Sequence, residues 1–268
     1  MTTQITGCIL TPDGWIRGTL GFGERIVTID GTHVAAPGAG EALVLPGFID
    51  LHVHGGGGAD VMDGNGAIDT VARIHARHGT TSLLATTMTA PHDDIEKALA
   101  DVGRAMRERP TGSARVLGVH LEGPFINPGR LGAQPNAVRS GSIEELSTLH
   151  ALARIRVLTL APEISGHLDF IRELKIAGII AQIGHSNGSY EEGVAALDAG
   201  VGGFTHLFNA MSPLQGREAG AVGAALEDDG CWCGVIVDGV HVHPASLRVA
   251  LAAKPRGKVL LVTDAMPM

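Results

Sequence analysis

The stretch PGFIDLHVHG at residues 46–55 is an apolar run that ends in two histidines, His52 and His54. A short, nearly continuous apolar run is typical of a strand that is buried on both faces of a parallel sheet. Strand residues two apart share a face, so both imidazoles are expected to point to one centre. We therefore predict a first strand, residues 44–54, followed by a glycine run (55–58) that lets the backbone pass close to whatever is bound.

Apolar runs of the same kind recur along the chain, with amphipathic stretches between most of them. The predicted strands are Val44–His54, Thr81–Met88, Arg115–Gly123, Arg156–Glu163, Ile179–Ser186, Gly203–Met211, Cys233–His241 and Lys258–Ala265. The predicted helices are Ala67–His78, Asp93–Arg109, Ser142–Ala153, Gly166–Ala177, Ser189–Ala199 and Pro244–Ala253. Such an alternation indicates an α/β fold with a parallel sheet, and eight strands indicate a closed TIM-type (β/α)₈ barrel. The length of 268 residues suits one such barrel, which takes about 250 residues.

Residues 1–43 follow a different pattern. Their strand-like pieces, Ile5–Leu10, Trp15–Leu20 and Glu24–Asp30, are broken by glycine and by the sequence PDG at 12–14. Turn residues at this spacing predict a small N-terminal β subdomain. The barrel is then expected to span residues 44–268.

Composition excludes several classes of protein. Hydrophobic residues make up 44% of the chain and charged residues 18%, which favours a large buried core. The net charge of −8 and the lack of a basic run argue against nucleic acid as a partner. The apolar runs are too short to cross a bilayer, and the first residues do not resemble a signal peptide. The three cysteines, Cys8, Cys231 and Cys233, predict a cytoplasmic protein without disulfides. Cys231 and Cys233 are expected to be core residues rather than a pair of metal ligands.

Polar residues also end four of the other predicted strands. Glu122 ends the third strand, His185 the fifth, His206 the sixth and Asp264 the eighth. In barrels of this type the chemistry lies at the carboxyl ends of the strands. A lone histidine there is more often a satisfied polar residue than a ligand, but imidazole and carboxylate recurring at five strand ends form the ligand set of zinc or iron(II). Asp264 is the candidate to accept a proton from a water molecule that such a metal activates.

The order of several motifs resembles a known family. The stretch at 46–55 is similar to the first-strand motif of the amidohydrolase superfamily. The further motifs are HLEGPF (120–125), GHS (184–186), THLFNAM (205–211), GRE (216–218), DGVHV (238–242) and TDAM (263–266). In this order, from about Leu43 to the last residue, they resemble the N-acetylglucosamine-6-phosphate deacetylase family.

The resemblance implies a reaction and a role for each site residue. The reaction is hydrolysis of the acetamide of N-acetylglucosamine 6-phosphate, a small-molecule sugar phosphate, in a homodimer with some phosphate contacts crossing between subunits. Glu122, His185 and His206 would hold the main metal, and His52 and His54 a second one. The cofactor would thus be one or two divalent metals per chain, zinc or iron(II). Asp264 would act as general base and acid, and the sugar phosphate would be bound by Asn209, the backbone of Ala210, Arg217 and His241. Apart from the family, Arg217 could equally form a surface ion pair with Glu218.

The sequence departs from the family pattern at two places. In RLGAQ at 130–134, Gln134 stands where the family usually carries a histidine that helps to polarise the substrate carbonyl. A glutamine can donate a hydrogen bond there but cannot carry a proton, so Gln134 is assigned to substrate binding with an altered sugar preference or rate. The chain also stops at Met268, whereas family members continue with another helix and strands of the small β domain. We therefore expect a truncated sequence that lacks the last barrel helix.

Three alternatives remain open at this point. Other amidohydrolases bridge two metals with a carbamylated lysine on the fourth strand, but the predicted strand at 156–163 contains no lysine, which favours the deacetylase branch with Glu122 as the bridge. A deacetylase of N-acetylgalactosamine 6-phosphate or of another N-acetyl amino sugar has the same chemistry. A non-catalytic metal-binding fragment is the alternative from a different class.

Overall fold

The computed structural model describes residues 2–268, in two compact units that divide between Phe48 and Ile49. The first unit is a sheet of four strands in the order β3-β2-β1-β4. Its strands are β1 (Thr3–Thr11), β2 (Gly14–Phe22), β3 (Ile26–Val34) and β4 (Leu43–Val44). β1 and β2 pair antiparallel around the turn at Pro12 and Asp13, where Gly14 has a φ of +111° that favours glycine. This sheet agrees with the small β element predicted ahead of the barrel.

The first barrel strand begins later in the chain than predicted. Val44 was assigned to the first barrel strand, but it pairs in parallel with Ile9 in the small sheet. The first barrel strand begins at Phe48 instead. Pro46 lies between the two strands, and because proline has no N–H to donate, it interrupts strand pairing there.

The second unit alternates strands and helices. Its first strand is β5 (Phe48–Val53), of which Phe48 still belongs to the first unit, and a short hairpin of β6 (Gly55–Gly56) and β7 (Ala59–Asp60) follows. The strands that follow are β8 (Thr80–Thr87), β9 (Arg115–Glu122), β10 (Ile155–Leu160), β11 (Ile180–Ile183), β12 (Gly203–Phe204), β13 (Trp232–Ile236) and β14 (Val259–Val262). The helices are α1 (Ala67–Arg77), α2 (His92–Glu108), α3 (Ile143–Leu152), α4 (His167–Ile176), α5 (Tyr190–Ala199), α6 (Gly220–Glu227) and α7 (Pro244–Ala253). Single 3₁₀ turns lie at Val61–Asp63 and Pro128–Arg130.

The barrel strands lie in the order β14-β13-β12-β11-β10-β9-β8-β5, which is an eight-stranded sheet within residues 2–268. The first and last strands meet through a parallel bridge between Val53 and Ala265, and the amide of Asp264 donates to the carbonyl of His52 at 3.0 Å. On the other side of β5, the amide of Val53 donates to Thr86 Oγ1 at 2.8 Å. The predicted TIM-type barrel is therefore confirmed, and its closure brings the carboxyl ends of distant strands to one place.

Two local predictions were wrong. The strand predicted at 203–211 is only Gly203–Phe204, because the backbone turns into the left-handed region at His206. α6 was not predicted: its sequence GAVGAALE is buried at seven of its eight positions, so it has no polar face to give a helical period. The core around it includes Cys231 and Cys233, as predicted, and all three cysteines are free.

Within residues 2–268, every helix is too short or too polar to span a bilayer. The longest is α2, with 17 residues.

Candidate metal centre

Five side chains meet at the carboxyl ends of the barrel strands. His52 lies in β5 and His54 directly follows it, Glu122 ends β9, and His185 and His206 lie two residues beyond β11 and β12. Each of the five is at most 5% exposed. Charged and polar groups this deeply buried need partners, so their mutual contacts decide what the site can hold.

The two oxygens of Glu122 face different histidine pairs. Oε2 lies 3.0 Å from His54 Nε2 and 3.4 Å from His52 Nε2. Oε1 lies 3.2 Å from His206 Nε2 and 3.3 Å from His185 Nε2. The five residues thus form two three-residue groups that share one carboxylate, each with its ligand atoms within 4.8 Å of one another.

The position of the proton on the His185 ring indicates whether the two three-residue groups could hold a cation. His185 Nδ1 lies 2.8 Å from the carbonyl oxygen of Arg130, which can only accept, so Nδ1 carries the proton. In the neutral ring, Nε2 then directs a lone pair at Glu122 Oε1 and at His206 Nε2, which is 3.0 Å away. Facing lone pairs are unfavourable without a positive charge between them. Tetrahedral ligands at about 2.0–2.1 Å from zinc would lie roughly 3.3 Å apart, so the contacts of Glu122 fit a divalent cation.

The backbone around the centre is strained. Among residues 2–268, seven non-glycine residues have a positive φ, and five of them lie here: His185 (50°), His206 (34°), Phe208 (81°), Ala210 (49°) and Asp264 (50°). A left-handed residue of this kind costs about 1–3 kcal/mol and persists only where the surroundings enforce it. The amide of Asn127 donates to the carbonyl of His185, and the amide of Ser186 to that of Ala210, each at 3.0–3.1 Å. These bonds help to hold the strained backbone at His185 and Ala210 in place.

Asp264 lies beside the His52 and His54 pair. Its Oδ1 is 3.2 Å from Nε2 of both rings. Burial raises the pKa of Asp264, but the hydrogen bond from His54 and the charge of His52 outweigh it and lower that pKa to about 2. Burial likewise lowers the pKa of His54, yet Asp264 and Glu122 raise it to about 10. Burial opposes ionisation of Glu122 too, but the surrounding histidines hold its pKa well below the usual range.

His120 shares a strand face with Glu122 but is not a ligand. Its Nδ1 donates to the carbonyl of Leu51 at 3.0 Å, and its Nε2 lies 2.7 Å from Thr159 Oγ1. Burial and the charge of His52 lower its pKa to about 3, so the ring is neutral. It packs edge-on against the ring of His52, with centroids 4.6 Å apart, and so helps to hold that ring.

A cavity of about 320 Å³ opens over the centre. Four of the predicted substrate residues line it: Gln134, Asn209, Ala210 and His241. His241 Nδ1 donates to Asp238 Oδ2 at 2.7 Å, which fixes the ring in place. The cavity lining among the described residues does not include Arg217, which is exposed on the loop that precedes α6.

Gln134 has an unexpected place in the site. Its Nε2 donates to Glu122 Oε2 at 2.7 Å, and its Oε1 accepts from the backbone amide of Thr89 at 2.6 Å. The sequence reasoning missed Thr89, although it follows the second predicted strand at the expected end. It also missed the apolar lining residues Met88, Ile236 and Met266. Met88 directly follows β8, Ile236 ends β13 and Met266 lies four residues after β14. This position near strand ends was the available signal, but apolar side chains gave no chemical reason to notice them.

Residues 43–265 match the model of the amidohydrolase family, so the chain belongs to that family. Among its relatives is the N-acetylglucosamine-6-phosphate deacetylase of Bacillus subtilis (strain 168), which is 42% identical over 232 residues, covering 84% of this chain and 59% of the relative. The N-acetylgalactosamine-6-phosphate deacetylase of Escherichia coli O157:H7 is 39% identical over 264 residues, covering 96% of this chain and 70% of the relative. The chain thus spans about three fifths of the length of the first relative and more of the second.

The chain is also similar to solved structures of N-acetylglucosamine-6-phosphate deacetylases. A mutant N-acetyl-D-glucosamine-6-phosphate deacetylase from Mycobacterium smegmatis, in complex with N-acetyl-D-glucosamine-6-phosphate, is 32% identical with a TM-score of 0.87. The enzyme from Thermotoga maritima is 31% identical with a TM-score of 0.87. Each match covers 99% of this chain and 71% of the solved chain. The resemblance inferred from the motifs is confirmed.

Proposed function

We propose that the chain carries the site for hydrolysis of the acetamide of N-acetylglucosamine 6-phosphate, giving glucosamine 6-phosphate and acetate. The observation that carries the proposal is the pair of histidine groups on the two oxygens of Glu122, with the carboxylate of Asp264 beside them and a cavity above. Relatives at 42% and 39% identity that deacetylate N-acetyl amino sugar phosphates support the substrate class.

The metal-binding residues would be Glu122, His185 and His206 for one ion, and His52, His54 and Glu122 for another. A bound zinc or iron(II) ion would supply Lewis-acid activation of the amide carbonyl and of a water molecule. Imidazole and carboxylate ligands suit both metals.

Asp264 would move the proton. With a pKa of about 2 its carboxylate is ionised at neutral pH and can accept a proton from the attacking water. The same oxygen would then return that proton to the departing amine, which leaves as the neutral amino sugar. Its Oδ1 lies 3.2 Å from Nε2 of both His52 and His54, which places the carboxylate beside the proposed metal ligands.

The sugar phosphate would occupy the cavity lined by Asn209, Ala210 and His241. Arg217 would meet the phosphate, because its guanidinium can donate paired charge-assisted hydrogen bonds to phosphate oxygens. Arg217 lies outside the cavity lining of its own chain. We therefore propose a homodimer in which Arg217 contacts the substrate bound to the partner subunit. The free buried cysteines are consistent with a cytoplasmic location for this dimer.

A second candidate substrate is N-acetylgalactosamine 6-phosphate. The Escherichia coli relative that is named for this sugar is aligned over 96% of the chain. The two sugars differ in the orientation of one hydroxyl, so a binding pocket separates them by contacts to that hydroxyl alone.

Acetate release from both sugar phosphates, with unphosphorylated N-acetylglucosamine alongside and zinc or iron(II) added, tests the proposal. Faster turnover of N-acetylglucosamine 6-phosphate supports it, and faster turnover of the galactosamine compound selects the second candidate. A folded, metal-loaded protein that turns over neither would contradict both and would favour a metal-binding protein without catalysis.

A further inference from the structure

We infer that Gln134 is a positioning residue that holds Glu122 Oε2 toward His52 and His54, rather than a direct ligand of the substrate. The inference deepens the proposed function, since it rests on the metal-dependent site described above. It concerns a contact that joins a loop residue to the shared carboxylate of both metal groups.

The orientation of the Gln134 amide is fixed by its partners. The backbone amide of Thr89 can only donate, so it requires the carbonyl oxygen of Gln134 on its side, at 2.6 Å. The amino group therefore faces Glu122 Oε2, which as part of a carboxylate can only accept, at 2.7 Å. Both contacts are short, and the Gln134 side chain is buried, with 6% of the residue exposed. A buried amide with one donor and one acceptor contact of this kind is a rigid link from β8 to Glu122.

The link acts on one side of the carboxylate. Oε2 is the oxygen that faces His54 at 3.0 Å and His52 at 3.4 Å, whereas Oε1 faces His185 and His206. A carboxylate oxygen has two lone pairs, so Oε2 can accept from Gln134 with one and contact a cation with the other. Loss of the amide donor should therefore weaken the group formed by His52, His54 and Glu122 more than the group on Oε1.

The backbone that follows Glu122 packs closely on Thr89. Gly123 has a φ of +71°, and a Cβ at this position would lie 2.1 Å from Thr89 Oγ1. The residue after Glu122 therefore packs directly on the residue that anchors Gln134. Glu122, Thr89 and Gln134 thus form one packed unit, in which the amide is the polar connection to Oε2.

Gln134→Met tests the inference, because methionine keeps the length and approximate volume of glutamine but has no N–H donor. The matched control is Gln4→Met, the same change at an exposed position of β1. Metal-free protein of each kind would be titrated with Co²⁺ against a competing chelator, with circular dichroism to establish that it is folded. Acetate release would be measured separately on the loaded proteins.

We expect Gln134→Met to raise the Co²⁺ dissociation constant of the group formed by His52, His54 and Glu122 by about 10- to 100-fold. The other ion should be affected several-fold less, and Gln4→Met not at all. Unchanged Co²⁺ affinity, equal weakening of two ions, or a higher KM for the sugar phosphate with unchanged metal affinity would overturn the inference. If the affinity pattern holds but the parent protein releases no acetate, the positioning role stands and the proposed function fails.

Discussion

The Asp264 carboxylate lies 3.2 Å from Nε2 of His54, and each group changes the ionisation of the other. The hydrogen bond from His54 contributes to the low pKa of Asp264, about 2, and Asp264 contributes to the high pKa of His54, about 10. In the metal-free protein this contact is a buried ion pair. Binding of a cation to His54 would replace the proton that the pair shares and leave the carboxylate free to act on water.

Asp264→Asn should lower kcat by about 10²- to 10⁴-fold, because an amide of the same shape cannot accept the proton of the attacking water. Acetate release from N-acetylglucosamine 6-phosphate measures this. Metal content should stay close to that of the parent, since the five ligands are unchanged. Asp13→Asn, the same substitution in the exposed turn of the small sheet, should have no effect on kcat, and full activity in Asp264→Asn would remove Asp264 from the mechanism.

Metal binding should release protons and tighten as pH rises. The pKa of His54 is raised to about 10 in the metal-free site, so at pH 7 the ring is protonated and must lose a proton to bind a cation. Affinity for Zn²⁺ should therefore increase steadily between about pH 6 and pH 9. Calorimetric titration in two buffers with different heats of ionisation measures the protons released. Zinc binding without proton release would show that His54 is neutral in the metal-free protein.

Glu122→Gln should reduce binding of both metal ions, whereas His206→Asn should reduce binding of one. The reason is that the two oxygens of Glu122 face different histidine pairs, while His206 belongs to only one group. Metal content after dialysis against a fixed free Zn²⁺ concentration distinguishes the variants. Equal loss of metal in the two variants would contradict the division into two groups.

Leu158→Ala should lower the free energy of unfolding by about 2–5 kcal/mol, because Leu158 in β10 is fully buried and its truncation leaves a cavity between packed elements. Leu214→Ala, on a loop where leucine is 52% exposed, should change it by less than about 0.5 kcal/mol. Urea unfolding followed by circular dichroism measures both. Similar small effects for the two variants would argue against close packing around β10.

The sequence by itself was sufficient to predict the barrel. Apolar strand runs and amphipathic helices are local patterns, because the burial of one or both faces of an element determines the spacing of apolar residues within it. The convergence of the ligands also followed locally, because the residues at the carboxyl ends of parallel strands must meet at one rim. Elements without a local pattern could not be predicted in this way: α6 is buried on all sides, and β4 is two residues long.

Only the tertiary structure decided which partners each ligand has. His52 and His54 share a face through their spacing alone, but their place on Glu122 Oε2, opposite His185 and His206 on Oε1, depends on closure of the barrel. Likewise, Gln134 was assigned to the substrate from its place in a motif, whereas its amide is held between Thr89 and Glu122. These contacts join residues 12 to 84 positions apart, and no local periodicity encodes distances of about 3 Å across such separations.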